Sequence, residues 1–286
     1  MYENLFLLIL ALIWLFVASI SDLRKREVPN WLSFSLIIFA LAYRVFFAVF
    51  NSDLWFFLYG LIGLILFIIL AYGFYYARVF AGGDAKLLMG LGAILPFASS
   101  LIGNLIFLGV FILLFLFVGG IYGLIYSLVL VSGNKEKFAL EFIKQFKLNK
   151  RIFYISLVFV FLSLIFVFYF KELIFVFFPV IFLAFPLLFV YGKAVEESCM
   201  IVSISSKEVT IGDWLYEEVV INVGRKKKKI KPYWEGLSEG EVELIRKSKK
   251  KVKIKQGIPF VPSFLIAFVM LIIFKNNLLN FINFFG

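Results

Sequence analysis

Histidine is absent from the 286 residues, and cysteine occurs once, at Cys199. Without histidine there is no Ser-His-Asp or Cys-His catalysis and no histidine-ligated metal site. One cysteine makes neither an internal disulfide nor a CxxC zinc site. Aspartate is scarce too, with Asp22, Asp53, Asp84 and Asp213 as the whole set. Neither a metal nor a cofactor is expected.

What is present is overwhelmingly apolar. Hydrophobic residues make up 63% of the chain, with 39 phenylalanines and a mean hydropathy of +1.01. Apolar runs of about 18 or more residues are the length needed to cross a bilayer. The pattern predicts an all-α polytopic membrane protein of about eight transmembrane helices, near 4–20, 31–50, 54–77, 85–99, 102–131, 152–170, 173–192 and 259–284. The fourth is short: some fourteen residues rise only about 21 Å, against about 30 Å of hydrocarbon. The first stretch, Leu5 to Ile20, has no basic lead-in and no small-residue cleavage site. It reads as a retained helix rather than a signal peptide.

The net charge of +11 would suit nucleic acid in a soluble protein. Here 26 of the 29 lysines and arginines fall in 21–30, 78–86, 133–151 and 193–257, which eight helices would place on one side. The positive-inside rule makes that side the cytoplasm, leaves no role for nucleic acid, and has both ends of the chain facing outward.

The expected domains are membrane helices one to seven over 1–192, a cytoplasmic insert over 193–257, and a final helix over 258–286. In the insert, "KEVTIGDWLYEEVVINV" predicts two short strands. "GLSEGEVELIRKSKK" carries a capping box, Ser238 with Glu241, ahead of Val242, Leu244 and Ile245, and predicts a short helix. The insert is thus a small α+β unit. Its "RKKKK" run, Arg225 to Lys229, reads as a solvated turn near anionic headgroups.

Two of the four aspartates lie in basic loops assigned to the same face. Asp22 is expected just past the first helix, in "SDLRKREVPNW", and Asp84 just past the third, in "VFAGGDAKLLMG". Close carboxylates share a proton. One then acts as base on a water while the other protonates a carbonyl oxygen, which is peptide hydrolysis without metal or covalent intermediate. Gly82 and Gly83 would leave the backbone bare for an extended substrate. Each residue alone has a simpler reading. Asp84 would cap the helix that follows, Asp22 would be one loop charge among Arg24, Lys25, Arg26 and Glu27, and Pro29 with Asn30 would merely start helix two. The combination on one face favours chemistry.

Three stretches resemble the type 4 prepilin peptidase family, whose archaeal members include the preflagellin (archaellin) peptidases. "DLRKREVPN", Asp22 to Asn30, resembles the first aspartate motif. "AGGDAK", Ala81 to Lys86, resembles the GxGD motif and its following lysine. "GIPFVPSFLIA", Gly257 to Ala267, resembles the segment opening the last helix in archaeal members. Ala81 stands where the first motif glycine would fall. The absence of a cysteine-rich zinc loop, and the insert before the last helix, favour the archaeal branch. The resemblance implies a membrane aspartic endopeptidase that removes short basic leaders from pilin-like or archaellin precursors at the cytoplasmic membrane face. It implies Asp22 and Asp84 as the catalytic pair, with Gly82, Gly83 and Lys86 shaping the site. Its partners would be those precursors and membrane lipids. It gives no basis here for the N-terminal methylation that some bacterial members carry out.

Presenilin-type GxGD proteases are the nearest alternative, but Ser21 precedes Asp22 where they have tyrosine, and no Pro-Ala-Leu occurs. A proton-coupled transporter is the alternative of another class. Against it, both aspartates are expected in loops, and no inverted repeat is evident. "GLSEG", Gly236 to Gly240, matches a nucleophile elbow, but a triad needs histidine, so Ser238 reads as a helix cap. "GGIYG", Gly119 to Gly123, reads as a close helix-packing point. Glu196 and Glu197 would either receive a basic leader or, as preferred, pair with lysines. Cys199 reads as a buried thiol at the start of the insert.

Overall fold

A computed structural model describes residues 3–223 and 226–285. In chain order the helices are α1 (Leu5–Lys25), α2 (Asn30–Asn51), α3 (Leu54–Tyr76), α4 (Gly82–Ile94), α5 (Leu101–Ser132), α6 (Lys135–Leu148), α7 (Lys150–Phe170), α8 (Phe177–Cys199), α9 (Glu239–Ser248) and α10 (Val261–Phe285). The strands are β1 (Ile201–Ile204), β2 (Trp214–Leu215), β3 (Val219–Val223), β4 (Lys226–Ile230) and β5 (Val252–Lys255). Among the described residues, seven helices are long and apolar enough to cross a membrane. They match seven of the eight expected. The remaining one, α4, has 13 residues and is not among them. The chain divides into two compact units, residues 1–125 with 258–286, and residues 126–257.

The first unit is built around α4. Its buried face, Ala85, Leu87, Leu88, Leu91 and Ile94, packs between α2 and α3. Small residues make this close. A Cβ on Gly92 would strike Gly63 O and the Phe67 side chain, and one on Gly90 would strike Leu36. In lipid, where apolar side chains gain little by avoiding the solvent, such backbone approach is what holds helices together.

The C-terminus of α4 leaves carbonyls without intrahelical donors. Arg44 of α2, fully buried, supplies them. Its Nε donates to Ala93 O at 2.7 Å, and its Nη2 to Ile94 O at 3.0 Å and Pro96 O at 2.7 Å. Nη1 donates to Phe56 O at 2.7 Å. A cation at a helix C-terminus also opposes the macrodipole. Gly60 leaves the room for its side chain. Arg44 was one of three basic residues outside the expected loops, and here is its reason.

"GGIYG" behaves as expected at one position: a Cβ on Gly119 would meet the Phe260 ring just before α10, whereas Gly120 and Gly123 face open space.

In the second unit, α7 and α8 form a hairpin through a 3-10 turn, Leu173–Val176. Pro186 lies inside α8 and has no N–H for the carbonyl of Phe182. The hydroxyl of Ser156, from α7, donates to that carbonyl instead. Residues 133–151 were expected as a loop. They hold α6, in which Lys135, Lys137, Lys144 and Lys147 alternate with Phe138, Phe142, Ile143 and Phe146. None of its residues is buried, and Phe138 packs edge-on against Tyr191 of α8. Basic and aromatic faces on one short helix suit the membrane surface.

The strand-bearing part is shorter than 193–257, because α8 continues to Cys199. Three strands pair antiparallel in the order β1-β5-β2, and β3 pairs with β4. Val209, Leu215, Ile221, Ile230, Val242, Ile245 and Ile254 make the core. The two strands and the helix expected here are found, and Ser238 with Glu241 forms the capping box that starts α9. The lysine run is a correction. Arg225 lies outside the described residues, but Lys226–Ile230 is a strand, with Lys228 and Lys229 exposed and Ile230 buried against the core. Lysines on an edge strand blunt unwanted pairing while the backbone satisfies β3.

Candidate active site

Asp22 does not lie past the first helix. Arg24 and Lys25 extend α1 by another turn, since cations suit a helix C-terminus, and Arg26 closes it in the left-handed conformation. Asp22 is therefore inside the last turn and only 5% exposed. Its Oδ2 accepts the backbone N–H of Val261 at 2.9 Å, and Phe260 makes a second backbone hydrogen bond. The start of α10 thus supplies donors that a helix N-terminus has free. "GIPFVPSFLIA" signals that start through Pro259 and Pro262, yet nothing local says its N–H groups reach back to Asp22, 239 positions earlier.

Asp84 is likewise not in a loop. It is in the first turn of α4, with Gly82 as the first helical residue. Nor is it the cap: Ala81 holds that position with φ −71° and ψ 161°, which alanine adopts without strain, so the glycine replaced there is not missed. Burial, and then the negative charge of Asp22, push the Asp84 carboxyl up to about 7, against a backbone hydrogen bond from Ala81 that favours the charge. Asp22 and Asp84 are thus electrostatic neighbours, brought together from α1 and α4.

The other expected site residues are close by. Lys86 Nζ donates to Asn30 Oδ1 at 2.7 Å and lies over the Phe34 ring, so the lysine after one aspartate is tied to the end of the other aspartate's motif. The space beside Gly83 is already taken: a Cβ there would lie 3.2 Å from Val28 Cβ. Gly83 admits the first loop rather than a ligand. Gly82 is open, with only Tyr75 as near as 3.9 Å. Phe80, buried, packs on Phe74, Phe115, Phe260 and Phe264 and anchors the segment entering α4.

Asp53 and Asp213 do structural work. Asp53 caps α3 through Phe56 N–H, and Asp213 accepts Thr210 N–H at 2.7 Å. Glu196 pairs with Lys193 and Lys255 as expected, whereas Glu197 accepts the Tyr216 hydroxyl rather than a lysine. Cys199 is half-buried and ends α8, where a buried thiol opening the insert was expected.

Residues 9–128 match the model of the type IV leader peptidase family. That stretch, about two fifths of the chain, is similar to this family. The matched stretch contains Asp22 and Asp84 and ends before the strands and α10. A preflagellin peptidase of Methanocaldococcus jannaschii is 35% identical over 88 residues, which is 31% of this chain and 37% of that protein. The prepilin peptidase EppA of Methanothermobacter thermautotrophicus is 36% identical over 93 residues, 32% of this chain and 24% of that one. A preflagellin peptidase of Methanococcus maripaludis is 28% identical over 88 residues, 31% of this chain and 38% of its own length. The chain thus spans well under half the length of each of these leader-peptidase relatives. No solved structure matches it.

Proposed function

We propose that this chain is a membrane aspartic endopeptidase that removes a short basic leader from type IV pilin-like or archaellin precursors, with its active site at the cytoplasmic membrane face. One observation carries the reading: two carboxylates, from α1 and α4, lie close enough for one charge to perturb the other. The names of the similar proteins support the substrate class, and the basic residues of 21–30 and 78–86 support the cytoplasmic side. Neither the presenilin-like nor the transporter alternative is favoured by the family match.

The roles of the pair follow from the hydrogen bonds. Val261 N–H only donates, so Asp22 Oδ2 is held as an acceptor. The proton of the pair is assigned to Asp84, whose carboxyl is protonated up to about pH 7. A water placed between them gives a proton to Asp22 as its oxygen attacks the scissile carbonyl carbon, and Asp84 gives its proton to the carbonyl oxygen. The gem-diol then collapses. Asp22 passes its proton to the amide nitrogen, the C–N bond breaks, and Asp84 recovers a proton from the diol hydroxyl. Both carboxyls return to their starting states.

Co-expression with candidate precursors tests the reading, with leader loss followed as a mobility shift on a gel. Cleavage by the wild type and none by Asp84→Asn supports it. Fully active Asp84→Asn protein at normal expression overturns it, since asparagine serves a helix start as well as aspartate does.

A further inference from the structure

At the end of the first unit opposite Asp22 there is a cavity of about 560 Å³. It opens among the start of α1, the start of α3, the turn after α4 and the second half of α10. Asn4, Asp53, Trp55, Tyr59, Phe97 and Lys275 line it. From Asn4 to Asp22 along α1 is a rise of about 27 Å, close to the thickness of the hydrocarbon layer, so the cavity and the carboxylate pair belong to opposite headgroup layers.

The lining is polar in an incomplete way. Lys275 is half-buried, with Nζ 5.0 Å from the centre of the Phe97 ring. Among the described residues it has no ion-pair partner. Asn4 is 7% exposed; its Nδ2 donates to Phe97 O at 3.3 Å, but its Oδ1, fully enclosed, receives no hydrogen bond. Glu3, Asn276 and Asn280 also line it, so Glu3 and Asp53 are its two acidic residues, and Trp55 and Tyr59 are aromatics of the kind found at headgroup depth. Lys275 therefore calls for an anion, and the acidic side chains of Glu3 and Asp53 for a cationic N–H donor.

We propose that this cavity binds one phospholipid headgroup of the zwitterionic, primary-amine type, with its phosphodiester against Lys275 and its ammonium towards Asp53 and Glu3. Such a site is independent of the proteolytic reading. It would hold α1, α3 and α10 together at the face away from the carboxylates.

The test uses the full chain purified in phosphatidylcholine nanodiscs, with phosphatidylethanolamine, phosphatidylglycerol or inorganic phosphate added, and counts retained lipid by native mass spectrometry. One phosphatidylethanolamine per chain is expected, at least fivefold above phosphatidylcholine, whose headgroup has no N–H. Lys275→Gln should reduce that retention at least fivefold, and Lys275→Arg should keep it. Equal loss in both variants, or in neither, overturns the proposal. So does equal retention of phosphatidylcholine or preferential retention of phosphatidylglycerol. Displacement of the lipid by millimolar phosphate would make the ligand a free anion, and overturns it as well.

Discussion

The helices of the first unit and the α7–α8 hairpin are all apolar enough to cross a membrane but are differently used. In α1, α2, α3 and α10, between 33% and 39% of the apolar stretch is buried in protein; in α7 and α8 the figure is 11%. Hydropathy cannot tell these apart, because lipid and protein interior are alike to a leucine. What separates them is polar and steric detail. The first unit has glycines where backbones meet, a buried arginine closing a helix end, and a carboxylate receiving the start of another helix. The hairpin has a serine repairing a proline's missing bond.

This contrast can be broken at several points. The largest effect should come from the carboxylates. Asp22→Asn and Asp84→Asn should each lower precursor cleavage at least a hundredfold, the range for loss of a general acid or base, while Asp53→Asn and Asp213→Asn stay active in the same gel assay. If either carboxylate variant kept near-normal cleavage, the first unit would be a packed bundle without the proposed chemistry.

Arg44→Met should have the largest effect on stability. It leaves the carbonyls of Phe56, Ala93, Ile94 and Pro96 without this donor in a dry environment. At about 1–3 kcal/mol for each unsatisfied group, the variant should melt many degrees lower in detergent or fail to accumulate.

The Asp84 carboxyl should show in pH dependence. Its folded value, about 7, lies above the ordinary 3.8. Below the ordinary value both folded and unfolded chains hold the proton. Between the two values the folded chain keeps a proton that the unfolded chain has released, so stability falls as pH rises through this window, and the loss is complete above about 7. Asp84→Asn removes this contribution. Its melting temperature should gain on the wild type as pH is raised from 4 to 7.5. Wild-type cleavage should decline above about pH 7, as Asp84 loses the proton it donates.

The smallest effects belong to the hairpin. Ser156→Ala should cost about 0.6 kcal/mol, the average for a hydrogen bond between transmembrane helices, by returning Phe182 O to an unsatisfied state. Phe161→Leu, at an exposed position, should be neutral within about 0.5 kcal/mol. A large cost at Phe161 would mean that the hairpin's exposed face has a protein partner, and would erase the contrast.

Much of this protein is legible in the order of its residues. Run length and hydropathy determine seven spans, because a helix that satisfies its own backbone is the local solution in lipid. Ser238 and Glu241 determine where α9 begins, because a capping box is complete within four residues. The scarcity of aspartate, with the two motifs, marks Asp22 and Asp84 as the residues to watch. Other features depended on partners far away in the chain. The strand at Lys226–Ile230 needed Val219–Val223 to pair with, and the end of α4 needed Arg44. The room beside Gly83 was claimed by Val28, and the oxygen of Asp22 was engaged by Val261. In each case one polar group or one gap could be filled from several places, and only the packed chain decides which residue arrives.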